Sequence, residues 1–157
     1  MEKRVALVVG NGAYKNTSWL TNPPKDADAI AQALRRLDFD VLEGRDLDFA
    51  NLAGRIRDFG RALKDAHVAL YFYAGHGLQV RGNNYVVPID AALEHEADVY
   101  LELVAVQAIL AKMEVGNRTS ILMLDACRDN PLARNLVRPM GTMRSSAVGE
   151  GLSRIPS

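Results

Sequence analysis

Val5 to Val9 is an unbroken apolar run that stops at Gly10. A run with no polar alternation suits a strand buried on both faces. Val68 to Tyr73 and Ile121 to Leu124 are two further runs of this kind, ending at Ala74-Gly75-His76-Gly77 and Asp125-Ala126-Cys127. Between them the period changes. Ile30, Ala33, Leu34 and Leu37 recur at helical spacing after the break at Asn22-Pro23-Pro24. Leu52, Ile56, Phe59 and Leu63 do the same behind Asp48, a residue suited to cap a helix. Leu103, Val106, Leu110 and Met113 predict a third helical face. Val41-Leu42 reads as a short strand, and Arg81-Gly82-Asn83-Asn84 as the turn of a hairpin between Leu78 and Val87.

Buried strands alternating with helices predict an α/β fold, with a mostly parallel sheet covered by helices on both faces. Ligands of such sheets bind beyond the carboxyl ends of the strands. The residues expected there are Gly10-Asn11, Gly75-His76-Gly77 and Asp125-Ala126-Cys127.

Composition narrows the chemistry. The 157 residues carry 19 Lys+Arg and 19 Asp+Glu, so the formal charge is zero. Without a basic excess the chain is a poor binder of phosphate backbones, and no nucleic-acid partner is expected. No apolar run is long enough to span a bilayer, so no membrane partner is expected either. With one cysteine, Cys127, there is no disulfide framework and no multi-thiolate metal site. His67, His76 and His95 lack the HExxH spacing, and no EF-hand pattern occurs, so neither a metal nor a cofactor is expected. No signal peptide is legible, and the chain reads as cytoplasmic. Met1 stands close before the first strand, so an upstream leader, and with it a periplasmic or secreted location, stays open.

The lone Cys and one His both fall where chemistry is expected. A thiol attacks well as thiolate, and an adjacent imidazole can take its proton and later give one to a leaving amine. His76 and Cys127 are therefore the candidate pair. The Gly77 and Cys127 backbone N–H groups are candidate oxyanion donors. For an arbitrary cysteine, a small buried hydrophobe is the more ordinary reading.

The spacing reverses that preference. His76 lies 51 residues before Cys127, and caspases place their His about 50 residues upstream of the nucleophile. Four stretches, Val5-Ala6-Leu7-Val8-Val9-Gly10-Asn11, Tyr71-Phe72-Tyr73-Ala74-Gly75-His76-Gly77, Tyr85-Val86-Val87-Pro88-Ile89-Asp90-Ala91 and Leu124-Asp125-Ala126-Cys127-Arg128, occur in this order. By them the chain resembles the caspase-like cysteine peptidases (caspases, paracaspases and metacaspases) over about residues 4–130. It looks closest to prokaryotic paracaspase-like proteins. The resemblance implies a caspase-like three-layer sandwich, a His76–Cys127 dyad, and peptide or protein substrates. Asp125 stands where caspases have Gln, and Asp129 where they have Gly. In paracaspases and metacaspases an acidic pocket selects Arg or Lys at P1, and its acids match Asp125 and Asp26. Two carboxylates can hold a guanidinium through paired hydrogen bonds. Taken alone, Asp26 and Asp28 read equally as the acidic first turn of a helix. Asp90 reads as a turn residue, Asn11 as shaping the loop after the first strand, and His67 and His95 as surface residues.

Residues 1–127 are thus expected to form a p20-like catalytic core. Residues 128–157 hold no aromatic residue and carry five arginines against Asp129 and Glu150. They read as a flexible basic linker toward a p10-like segment absent from this chain, in which Arg144 and Arg154 are candidate self-processing sites. A parallel sheet ending at Leu124 would expose an edge able to pair with a second copy. Two other readings compete: a caspase-fold scaffold without catalysis, and a nucleotide-binding domain. The last rests only on Gly10-Asn11-Gly12, an incomplete glycine pattern.

Overall fold

The computed structural model describes residues 1–127, Leu132 and residues 148–149. Chain order is β1 (Arg4–Gly10), α1 (Asn22–Arg36), β2 (Phe39–Arg45), α2 (Phe49–Ala62), β3 (Val68–Val80), β4 (Asn83–Val86), α3 (Glu96–Glu102), β5 (Val104–Ala105), α4 (Val106–Met113), β6 (Thr119–Cys127) and β7 (Val148–Gly149). Among the described residues no helix is long and apolar enough to cross a membrane.

Four strands run parallel in the order β2-β1-β3-β6. β3 is long enough to change partner. Its residues 68–76 pair with β6, and residues 77–80 turn antiparallel onto β4, which pairs onward with β5. The expected hairpin turn is present, with positive φ at Arg81 and Gly82, the backbone that two-residue hairpins favour. β7 adds to the same end of β3 through Gln79 and Val80. It lies within the segment read as a linker, as does Leu132, which is buried beside Tyr14 and Leu78.

Strand alternation sorts the core into two layers. Val5, Leu7, Val9, Tyr71 and Tyr73 face α2 and α4. Ala6, Val8, Leu70, Phe72 and Ala74 face α1 through Ala27, Ala31 and Leu34. The small alanines let α1 sit close: a Cβ on Gly10 would lie 2.4 Å from the Pro23 carbonyl oxygen and 2.8 Å from the Ala27 Cβ. The cover is uneven at β6. Leu122 and Leu124 pack on the α2/α4 layer, but Ile121 and Met123, on the α1 side, remain 38% and 40% exposed.

Two local expectations need correction. Leu103 to Met113 is not one helix: Leu103 caps α3, and Val104-Ala105 is extended and pairs with β4 before α4 begins. The hydrophobic period continued across the break although the two helices bury different clusters: Val99 and Leu103 pack with Leu78 and Tyr85, and Val106, Ile109, Leu110 and Met113 with Leu52, Phe59 and Tyr71. Asp26 and Asp28 are not in the first turn of α1 either. The prolines open the helix, as fits a residue without an N–H, so it starts at Asn22 and no acid lies in its first turn.

Candidate active site

The carboxyl ends of β1, β3 and β6 lie side by side. Ala74 pairs with Gly10 on one side and Asp125 on the other, and two residues later His76 pairs with Cys127. Parallel neighbours are about 4.8 Å apart, so the 51-residue separation collapses to one strand spacing. β1 stops at Gly10, and Gly75-His76-Gly77 runs on past it to the point where β3 changes partner.

His76 is fully buried. Its Nε2 lies 3.0 Å from the Ser18 carbonyl oxygen. A carbonyl only accepts, so Nε2 carries the proton and donates it, and the lone pair of the neutral ring is on Nδ1. The Tyr14 ring packs on the imidazole with centroids 4.5 Å apart. Ser18 is brought there by a pinned loop. Gly12 and Ala13 donate their N–H groups to Asp46 Oδ1 at 2.8 and 2.9 Å. Leu20 N donates to the Gly12 carbonyl, so closely that a Cβ on Gly12 would sit 2.1 Å from the Leu20 oxygen. Asn11, wholly buried, accepts from Leu47 N and donates to the Val87 carbonyl, which ties the end of β1 to the segments after β2 and β4. Beside Ser18, Trp19 is 75% exposed.

Two tyrosine hydroxyls hold the histidine's backbone. His76 N donates to Tyr14 Oη at 2.8 Å, and Tyr14 Oη donates to the Val87 carbonyl at 3.1 Å. Tyr73 Oη donates to the His76 carbonyl at 2.6 Å and accepts from Val87 N at 3.3 Å. The two hydroxyls also lie 3.1 Å from each other, and Tyr73 Oη lies 3.2 Å from the Val87 carbonyl, so each single phenolic proton is shared among several acceptors in one buried network. Burial, followed by the nearby Tyr14, holds the Tyr73 pKa well above the ordinary range, so the donor stays protonated.

The acids divide by position. Ala27 faces the sheet, and Asp28 turns to the β2 side, where it pairs with Arg45 at 2.8 Å. Helical residues advance about 100° each, so Asp26 falls on the flank of α1 opposite Asp28. Asp125 is exposed and continues the Ile121 and Met123 face of β6, the face on the α1 side. Asp90 does serve a turn, accepting from Phe49 N at 3.0 Å at the start of α2. His67 Nδ1 accepts from Lys3 N, and His95 caps α3. Arg144 and Arg154 lie outside the described residues.

Tyr14, Tyr73, Asp46 and the Ser18 carbonyl escaped the sequence reading. Tyr73 carried a weak signal, since a tyrosine inside a buried run needs a partner for its hydroxyl. A backbone carbonyl carries none.

Comparison with known proteins identifies the family and the fold. The sequence profile of the Caspase domain matches residues 3–153. The human mucosa-associated lymphoid tissue lymphoma translocation protein 1 and its mouse homolog are each 30% identical over 125 residues, 80% of this chain. The chain spans about 15% of the length of these curated relatives. In structure it is similar to a Geobacter sulfurreducens protein (TM-score 0.62, 19% identity, 80% of this chain and 50% of that one). It is also similar to the Drosophila initiator caspase Dronc (TM-score 0.60, 17% identity, 76% and 47%). A caspase-like α/β sandwich, a matched profile across nearly the whole chain and the His76–Cys127 register converge: the chain belongs to the Caspase domain family of cysteine peptidases.

Proposed function

We propose that this chain carries the base and the nucleophile of a cysteine endopeptidase that cuts after Arg or Lys. The observation that carries the reading is the pairing of His76 with Cys127 across β3 and β6. In the proposed reaction, Nδ1 of His76 takes the thiol proton of Cys127, and the thiolate attacks the scissile carbonyl. The oxyanion is held by the Gly77 and Cys127 amides. His76 then returns the proton to the leaving amine, and water hydrolyses the thioester to the acid and the free thiol. The bond from Nε2 to Ser18 supports this role, because it leaves Nδ1 as the proton-accepting nitrogen.

Asp26 and Asp125 are proposed to receive the P1 guanidinium or ammonium. In support, Asp28 is already engaged by Arg45 on the far flank, whereas Asp26 and Asp125 belong to the same side of the sheet. Paired carboxylates would repel an acidic P1 side chain. Homodimerisation through β6 is proposed as well, since among the described residues this strand has one ladder partner and exposes Ile121 and Met123. One observation favours the scaffold reading instead: His76 is wholly shielded from solvent, so a substrate reaches it only if its cover moves.

Labelling separates the readings. The chain is treated with a peptide chloromethylketone ending in Arg, and with its Asp counterpart, and weighed intact. An adduct from the Arg reagent alone, lost in His76→Ala and in Cys127→Ala, is expected. An adduct that survives His76→Ala, or equal labelling by the Asp reagent, would overturn the dyad or the acidic pocket respectively. No adduct from either reagent supports the scaffold.

A further inference from the structure

The face of the sheet opposite α1 carries a groove that the proposed peptidase chemistry does not use. It runs between α2 and α4. At the carboxyl ends of the two helices it opens into a cavity of about 470 Å³ lined by Arg57, Arg61, Lys64, Lys112 and Arg118, with no carboxylate in the lining among the described residues. Arg57 and Lys112 also border a second cavity, of about 440 Å³, whose walls are apolar and include Ala53, Ile56, Leu103, Val104 and Ala108. The two cavities adjoin at Arg57 and Lys112, one basic and the other apolar, and together make up the groove.

Ordinary structural reasons cover part of the basic end. Arg61 and Lys112 sit in the last turns of α2 and α4, where cations complement the helix dipole. Arg61 also pairs with Asp58 at 3.6 Å. The rest is unexplained. Among the described residues Arg57, Lys64, Lys112 and Arg118 form no ion pair. Nε and Nη1 of Arg118 are shielded from water and have no hydrogen-bond partner there. A shielded donor left unmade carries a penalty, which a carboxylate in the groove would relieve once the guanidinium turns toward it. A general basic excess does not account for the cluster, because the chain's net charge is zero. At the apolar end Tyr100 and Phe49 are 55% and 38% exposed, beside side chains that are themselves buried.

We infer that this groove docks an extended segment of another protein that carries an apolar residue followed or preceded by several carboxylates. The apolar side chain enters between Tyr100 and Ala108, and the carboxylates lie along Lys112, Arg57 and Arg118. Charge complementarity selects this occupant. A free phosphate compound would use the basic end alone. A membrane surface is a poor fit to a recess between two helices.

The test uses the whole chain, isotope-labelled for NMR, and the peptide Leu-Phe-Gly-Ser-Glu-Asp-Glu-Glu with capped ends, in this and in reversed order. Neither peptide contains Arg or Lys, so neither serves as substrate for the proposed peptidase, and failure of one proposal leaves the other standing. Saturable shifts confined to α2, α4 and the residues around Arg118 are expected for at least one order. Replacing Leu-Phe by Ala-Ala should weaken binding about tenfold, a loss of about 1.4 kcal/mol. The exposed substitutions Lys64→Glu and Lys112→Glu should each weaken it several-fold without moving the thermal midpoint by more than a few degrees. Absence of shifts at millimolar peptide would overturn the inference, as would shifts located elsewhere. Equal affinity of the Ala-Ala peptide, or competition by pyrophosphate at the same strength, would reduce the groove to an unspecific anion site and overturn it too.

Discussion

Tyr73 donates a 2.6 Å hydrogen bond to the carbonyl of His76, three residues ahead in the same strand. A regular strand does not bring a side chain to its own backbone three residues on, because alternate side chains project away from the pleat. Gly75 makes it possible. Its φ is +154°, and a Cβ there would meet Tyr73 Oη at 2.6 Å and Tyr14 Oη at 2.8 Å. The glycine beside the histidine thus makes room for the two hydroxyls that hold it.

Tyr73→Phe should lower stability by about 1–3 kcal/mol, the range for a buried hydrogen bond lost with its partner left behind. Labelling of Cys127 by the Arg reagent should slow further than the stability loss explains, because His76 loses an anchor of its carbonyl. Urea unfolding together with labelling rates in the folded range checks both. Unchanged labelling would show that the tyrosine only stabilises.

Gly75→Ala should be more damaging than either tyrosine substitution. The added methyl collides with two buried hydroxyls and with the Asn11 carbonyl at 3.0 Å, none of which lies at the end of a freely moving chain. Loss of several kcal/mol, or failure to fold, is expected. Gly82→Ala, in the open hairpin turn with nothing within 4 Å, serves as control and should cost only its left-handed backbone, about 1 kcal/mol.

Alkali should unfold the protein through its tyrosines. Burial raises the pKa of Tyr71 and of Tyr73 above the ordinary value of 10.0. Above that pH the unfolded chain gives up these protons while the folded chain keeps them. Stability is thus fully present below pH 10 and falls as pH rises, by about 1.4 kcal/mol per unit for each group. The Tyr71 hydroxyl is buried and has no hydrogen-bond partner among the described residues. Tyr71→Phe should therefore be neutral or stabilising at pH 7 and should make the alkaline slope shallower, without abolishing it, because Tyr73 and Tyr85 are raised as well. Urea midpoints between pH 8 and 11 measure both effects, and an unaltered slope would contradict the assignment.

Asp26→Asn and Asp125→Asn should each slow the Arg reagent about tenfold or more, while Asp28→Asn leaves it unchanged. The Asp28–Arg45 pair is exposed on both sides, so its loss should cost less than about 1 kcal/mol. Reaction rates of the three variants with the Arg reagent decide between the two flanks of α1. A slow Asp28 variant would place the pocket on the wrong side.

The buried runs at Val5–Val9, Val68–Tyr73 and Ile121–Leu124, the capped helix after Asp48 and the hairpin turn at Arg81-Gly82 were all legible along the chain. Each is written in local periodicity or turn chemistry, and the alternation of strand and helix already implied that His76 and Cys127 end neighbouring strands. Tertiary structure decided what local pattern does not encode. One apolar period ran through Leu103, yet pairing of Val104-Ala105 with β4 broke it into two helices. Asp26 and Asp28 stand two residues apart and look alike in sequence. Only the seating of Ala27 against Gly10 puts them on opposite flanks of α1, with Asp28 on the β2 side. Likewise, Tyr14, Tyr73 and the Ser18 carbonyl come to His76 from separate stretches of chain. Their partners are backbone atoms, which every residue possesses, so the sequence holds no mark of which ones will meet.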